Sequence, residues 1–241
     1  RLSMNYTWDW SVLIQSPYLG WLVSGVGQTL AASAGSWILA MAVGFLIGAL
    51  RSLPYRWTDV ATGVYVQVFR NIPPLVQLFL WFFVFPEIVP EALGDWIKGQ
   101  MPMPELTTTI VAIGLFAGAR VAEQVRAGVD TVRVRLLPAA LATGLTPLQA
   151  YRLVLFPIAL RRIVAPLTSE LLITIKMSSI GLTIGLMELT AQSRQIENYT
   201  FHGFEAYAFA TAVYLVIGLL ATGIMHIVNR RLTGSLAGTD R

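Results

Sequence analysis

The chain contains no cysteine, which excludes disulfides, thiolate metal sites and thiol chemistry. Histidine is nearly as scarce. His202 and His226 lie far apart, with no His-x-x-Glu-His or similar spacing, so metal chemistry is not indicated. No Gly-x-x-x-x-Gly-Lys-Ser/Thr loop is present, so the chain is not expected to hydrolyse nucleotide itself. Charge is thin as well. Asp, Glu, Lys and Arg make up 12% of 241 residues, about half the share usual in a soluble domain. The remainder is strongly apolar, with 55% hydrophobic residues and a mean hydropathy of +0.64. The isoelectric point near 9.6 suits nucleic acid in principle. The arginines form no basic arm, however; they cluster between apolar runs, so no nucleic-acid partner is expected. A cleavable signal is not expected either: the first apolar run is too long and its N-terminal flank is not basic.

A bilayer span takes roughly 20 apolar residues. Five candidate spans fall at about 20–50, 60–85, 106–125, 163–187 and 206–228. The third is expected to continue as helix towards Val125. The whole chain, 1–241, reads as a single all-α membrane domain, a polytopic bundle of five transmembrane helices with no internal repeat. Charge sets the orientation. Arg51, Arg56, Arg120, Arg126, Arg133, Arg135, Arg152, Arg161, Arg162, Arg230, Arg231 and Arg241 fall on one side. Arg1, Lys98 and Arg194 fall on the other, among Glu87, Glu91, Asp95, Glu105, Glu188, Glu197 and Glu205. The positive-inside rule then puts the N-terminus outside and the C-terminus in the cytoplasm of a bacterial inner membrane. Trp8, Trp10, Trp21, Trp81 and Trp96 are candidate interfacial anchors. Three spans contain Gly-x-x-x-Gly, at Gly44/Gly48, Gly114/Gly118 and Gly181/Gly185, a pattern that lets helix backbones approach closely in lipid. Intrachain packing is the default reading, a dimer interface the other.

Ionisable groups at bilayer depth are costly and therefore point to function. Lys176 lies near the middle of the fourth span, followed by Ser178, Ser179 and Thr183, with Gly181 placed to loosen the helix. Glu170 is six residues earlier, so the two do not share a helix face. Arg70 precedes a Pro73–Pro74 break, where an interrupted helix leaves backbone groups free to bind something polar. Lys176, Arg70, Ser178, Ser179 and Glu170 are thus the candidate substrate or gate residues. The alternative for Arg70 and Glu170 is that they satisfy each other and the broken backbone.

The stretch from Pro138 to Pro157 is the polar exception between apolar spans. Gly144 suits the left-handed turn that ends a helix. Thr146 can cap the next helix, Pro147 fits its first turn, and Gln149 completes a Thr-x-x-Gln capping box. Pro157 is expected to stop that helix. Two short helices at a fixed angle, within 133–160, are expected.

This stretch resembles the cytoplasmic coupling loop of ATP-binding-cassette (ABC) importer permeases. Their pattern is Glu-Ala-Ala, three residues, Gly, nine residues, Ile, one residue, Leu-Pro. Ala139, Ala140, Gly144 and Pro157 match it; Val154 stands for the Ile, Phe156 for the Leu, and Pro138 replaces the Glu. Arg70-Asn71-Ile72-Pro73-Pro74-Leu75-Val76-Gln77, the helix end Ala119–Arg126 and the run Lys176–Ile180 are similar to stretches of polar amino-acid permeases. Ala119–Arg126, Gly144–Pro157 and Thr168–Glu170 look most like glutamate/aspartate importers. Met177 departs from the family, which has a polar residue there.

The resemblance covers about Gly20 to Leu232 and implies the type I ABC importer permease fold. It also implies partners: an ABC ATPase dimer that binds ATP and Mg, a second permease chain that is a paralogue, and a periplasmic amino-acid-binding protein. This chain itself carries no cofactor and is no enzyme. Ala139, Ala140, Gly144, Leu148, Tyr151, Arg152 and Pro157 would meet the ATPase, with Tyr151 filling its groove beside Leu148. Two other classes compete. A secondary transporter or channel would use Glu170 and Lys176 as a proton or ion site. A non-transporting scaffold would not need Arg70 and Lys176.

Overall fold

The computed structural model describes residues 6–233. Arg1 and Arg241, both counted in the charge asymmetry, lie outside them. A 3-10 turn, Trp10–Ile14, leads into α1 (Tyr18–Ser52) and α2 (Arg56–Asn71). A broken run follows: α3 (Pro74–Phe79), a π turn (Leu80–Val84) and α4 (Phe85–Ile88). The short α5 (Glu91–Gly99) precedes the longest helix, α6 (Pro104–Ala142). Then α7 (Pro147–Ala150), a second π turn (Tyr151–Leu155) and α8 (Phe156–Met177) form one continuous helical path. A 3-10 stretch (Ser178–Ile184), α9 (Leu189–Thr200) and α10 (Gly203–Thr233) complete the fold. No strand occurs among the described residues.

Three helices, α1, α6 and α10, are long and apolar enough to cross a membrane, and counting each of two bent helix pairs as one crossing gives five. The first pair turns by 104° between Arg56–Asn71 and Pro74–Ile88, and the second by 49° between Pro147–Ile184 and Leu189–Thr200.

The α1–α6 seam holds the bundle together. The buried face of α1 is small at nearly every step: Gly25, Thr29, Ala32, Ser36, Ala40, Gly44, Gly48 and Ser52. A side chain on Gly44 would meet Val121 at 2.5 Å and the Gly118 carbonyl at 2.8 Å; one on Gly48 would meet the Ala122 carbonyl at 2.7 Å. Gly114 of α6 lies as tightly under Leu39. Two Gly-x-x-x-Gly pairs therefore sit in one seam inside one chain, each glycine receiving a side chain or carbonyl of the facing helix, where dispersion between close backbones replaces the hydrophobic effect that lipid cannot supply. The third pair is different. Gly181 packs under Leu186 and Thr109 in the 3-10 stretch, and Gly185 ends that stretch at φ +94. It makes a turn, not a helix seam.

Contacts along the seam sort the charges to two ends. Gly25 of α1 lies against Leu189 and Gln192, and Gly185 lies near Glu105 at the start of α6. Glu188 and Glu205 are buried close to that end, Glu188 as the N-cap of α9 and Glu205 in the first turn of α10. At the other end Arg51, Arg126 and Arg133 join Asp59, Glu123 and Asp130 in one run of ion pairs.

Two sequence expectations change here. α6 continues past the expected span end at 125 and into the 133–160 loop region, running through Pro138 to Ala142. Proline removes the hydrogen bond to the carbonyl one turn back, but Val134 and Pro138 are both on the exposed face, so that carbonyl is not stranded in the core. Pro157 likewise does not stop its helix. The amide of Phe156 reaches back to the Tyr151 carbonyl, widening the turn just before the proline, and the missing donor is absorbed by the π geometry.

Candidate translocation site and coupling loop

Lys176 occupies the last turn of α8, where the helix tightens into the 3-10 stretch. Its side chain is exposed, and its ammonium has no hydrogen bond or ion pair among the described residues. It lines a cavity of about 330 Å³ between α8 and α10, together with Ile175, Tyr214, Gly218 and Thr222. The adjoining serines are less free. Ser178 Oγ donates to the Ile175 carbonyl at 2.7 Å, and Ser179 Oγ donates to the Lys176 carbonyl at 2.8 Å. Both hydroxyl protons are spent on the helix end, leaving the oxygens as acceptors in this conformation.

Glu170 and Arg70 do not satisfy each other. Glu170 is buried and takes a bidentate pair from Arg120, with Nε at 2.6 Å and Nη2 at 3.0 Å, pinning α6 to α8. Arg120, grouped by sequence with the flanking arginines, is therefore an interior partner. Arg70 reaches Glu123 at 3.4 Å, and Glu123 also holds Arg51 at 2.6 Å. Among the described residues neither Arg70 nor Glu170 contacts Lys176, so the three charges resolve there into two structural pairs and one cation without a partner. The Pro73–Pro74 break is also already satisfied. Gln77 Nε2 donates to the carbonyls of Phe69 at 2.7 Å and Ile72 at 2.8 Å, replacing the donors that proline lacks. Sequence reasoning missed Arg120 and Gln77 as partners. Both lie inside the stretches 119–126 and 70–77, but pairing across 50 residues for Arg120 leaves no local signal.

The loop is built as its residues dictate. Gly144 adopts φ +88, and a side chain there would meet nothing within 4 Å. Thr146 caps α7: its hydroxyl accepts from the Gln149 amide at 3.3 Å while Gln149 Oε1 accepts from the Thr146 amide at 2.9 Å. Both halves of the capping box are present. Ala139, Leu148, Arg152 and Pro157 are exposed, whereas Ala140 is buried. Tyr151 is fully buried, packed with Val129, Val132, Ala140, Leu155 and Ala159. It props the elbow from inside this chain and cannot fill a partner's groove from this position. Leu148 keeps its outward face.

A family model described as "Binding-protein-dependent transport system inner membrane component" matches residues 11–234. The glutamate/aspartate import permease protein GltJ of Escherichia coli (strain K12) is 39% identical over 245 residues, covering 98% of this chain and all of that protein. The glutamine transport system permease protein GlnP of the same strain is 30% identical, covering 93% of this chain and 97% of that protein. Among solved structures, a chain of an amino acid ABC transporter crystallised with histidines is 27% identical, with a TM-score of 0.78, covering 94% of this chain and 100% of that one. A chain of the MetNI methionine ABC transporter, at 22% identity and a TM-score of 0.74, shares the fold.

Proposed function

This chain belongs to the binding-protein-dependent transport system inner membrane components, and for this permease subunit of an amino-acid ABC importer we propose glutamate and aspartate as the cargo. It is not an enzyme; ATP is hydrolysed by a separate subunit. The observation that carries the cargo assignment is the unpaired Lys176. An uncompensated ammonium inside a membrane span costs a few kcal/mol on insertion scales, and a transported carboxylate is the compensating group. An acidic amino acid brings two carboxylates, so one can meet Lys176 while the other meets donors that the partner permease supplies. The likeness to GltJ favours the same cargo. Arg70, Ser178, Ser179 and Glu170 enter this reading as supports of the Lys176 helix end and its neighbours.

The rest of the assembly follows from the same premise. A second permease, a paralogue, completes the pathway, a reading supported by likeness both to GltJ and, at 28% identity over 94% of this chain, to the glutamate/aspartate import permease protein GltK of Escherichia coli O6:H1. A periplasmic binding protein delivers cargo at the acidic end, with the N-terminus outside. ATPases dock at the basic end through Ala139, Leu148, Arg152 and the exposed surface near Pro157, held at angle by Gly144, Ala140 and Tyr151. The ion-channel reading loses support because Glu170 is already committed to Arg120.

Lys176→Met tests the cargo site, since it keeps length and apolarity while deleting charge. Uptake of glutamate and aspartate should be abolished in a complex that still assembles with its ATPase. Near wild-type uptake in an assembled complex makes Lys176 a snorkelling residue instead. For orientation, an externally added thiol reagent should label Gly99→Cys and not Thr146→Cys in intact spheroplasts; the reverse pattern overturns the topology and the docking end together.

A further inference from the structure

α5 is a short helix at the edge of the bundle, and its surface is divided into three. Gly94 faces inward so tightly that a side chain there would sit 2.3 Å from the Pro86 carbonyl. Ile97, on the same side, lines a small cavity with Pro86, Pro104 and Thr108, and Lys98 and Glu105 reach its polar rim. A second face is polar: Glu91, Asp95 and Lys98 recur at helical spacing, and Lys98 pairs with Glu87 at 3.2 Å. The third face is apolar and uncovered. Leu93 and Trp96 are each 44% exposed, and Ile88, just before the helix, is 70% exposed.

Position decides what can cover that face. Val89 and Pro90 alone join α5 to α4, and Gln100 to Met103 join it to α6. Both neighbours are parts of membrane-crossing segments, so connectors this short hold α5 at the boundary between lipid and water. A helix at that depth whose apolar side carries Trp and Leu, and whose opposite edge carries charge, has the form of an interfacial helix. We propose that α5 lies in the membrane surface at the acidic end of the bundle, with Ile88, Leu93 and Trp96 seated at the headgroup–acyl boundary and Glu91 and Asp95 in water. The partner is lipid. Because the acidic stripe repels anionic headgroups, zwitterionic lipid is the better fit. The inference rests on the membrane-component assignment and not on the cargo.

The absence of cysteine makes the test direct. Leu93→Cys, Trp96→Cys and Asp95→Cys are each spin-labelled in the assembled importer, reconstituted in phosphatidylcholine liposomes without binding protein. Collision rates are then measured with oxygen, which concentrates in lipid, and with a water-soluble nickel chelate. The oxygen-to-chelate ratio should be severalfold higher at 93 and 96 than at 95. Equal ratios at all three positions, as for a helix standing in water to receive a binding protein, overturn the proposal. So does protection of 93 and 96 from both reagents, which would place a protein subunit over this face. Ile88→Cys is the substitute reporter should Leu93→Cys fail to assemble, and the same three readings apply. Lys176→Met transport is read separately, so loss of the cargo assignment leaves this result standing.

Discussion

The elbow at Gly144 and the helix end at Lys176 both interrupt a helical path, and they do so by different means. At the elbow the bonds that shape the turn itself are local, and the packing beneath it, Tyr151 on Val129 and Val132, comes from the adjoining end of α6. Thr146 and Gln149 bond to each other's backbone, and Gly144 takes its left-handed turn in open space. At the helix end the local part is small. Ser178 and Ser179 tidy the last carbonyls, but the position of α8 itself depends on Arg120, 50 residues away, gripping Glu170. The first region tolerates changes around it as long as its own few residues remain. The second is exposed to damage from distant helices.

The steepest way to break the contrast is at the seam that carries α6. Gly44→Leu forces a side chain into Val121 and the Gly118 carbonyl; no assembled transporter should be recovered by size-exclusion chromatography, while Gly27→Leu, with nothing within 4 Å, should assemble normally. Next comes the long-range grip. Glu170→Gln leaves Arg120 with a neutral partner in a site where Glu170 is buried, and breaking such a pair costs about 3–5 kcal/mol at the buried limit. Because Arg120 keeps some solvent contact, the lower part of that range is expected, read as a lowered unfolding midpoint in detergent. Lys176→Met, by comparison, should leave the midpoint unchanged, since it removes no bond.

The elbow should yield smaller stability effects and larger functional ones. Gly144→Val meets no neighbour, so its cost is the left-handed backbone alone, about 1–2 kcal/mol. The bundle should stay folded, with ATP hydrolysis uncoupled from uptake in proteoliposomes. Normal uptake with unchanged substrate-stimulated ATPase activity would remove the loop from the coupling path. Smallest is Thr146→Ala, which deletes one half of the capping box and should cost about 1 kcal/mol, visible as faster hydrogen exchange in α7 with the rest of the chain unaffected. If Thr146→Ala instead loosens α8 as far as Lys176, the two regions are one mechanical unit and the contrast between them fails.

Much of this molecule was decided by the sequence alone, and the reason is range. The apolar runs, the Gly-x-x-x-Gly pairs at Gly44/Gly48 and Gly114/Gly118, and the turn signals at Gly144, Thr146 and Gln149 act through neighbours within a few residues or through the uniform demand of lipid for satisfied backbone. Those features are written in spacing and can be read there. Tertiary structure decided the rest. It gave Glu170 to Arg120 and Arg70 to Glu123, filled the Pro73–Pro74 break with Gln77, carried α6 through Pro138, and turned Tyr151 inward. A charge carries no record of which opposite charge it will meet, because pairing depends on which helix faces are brought together.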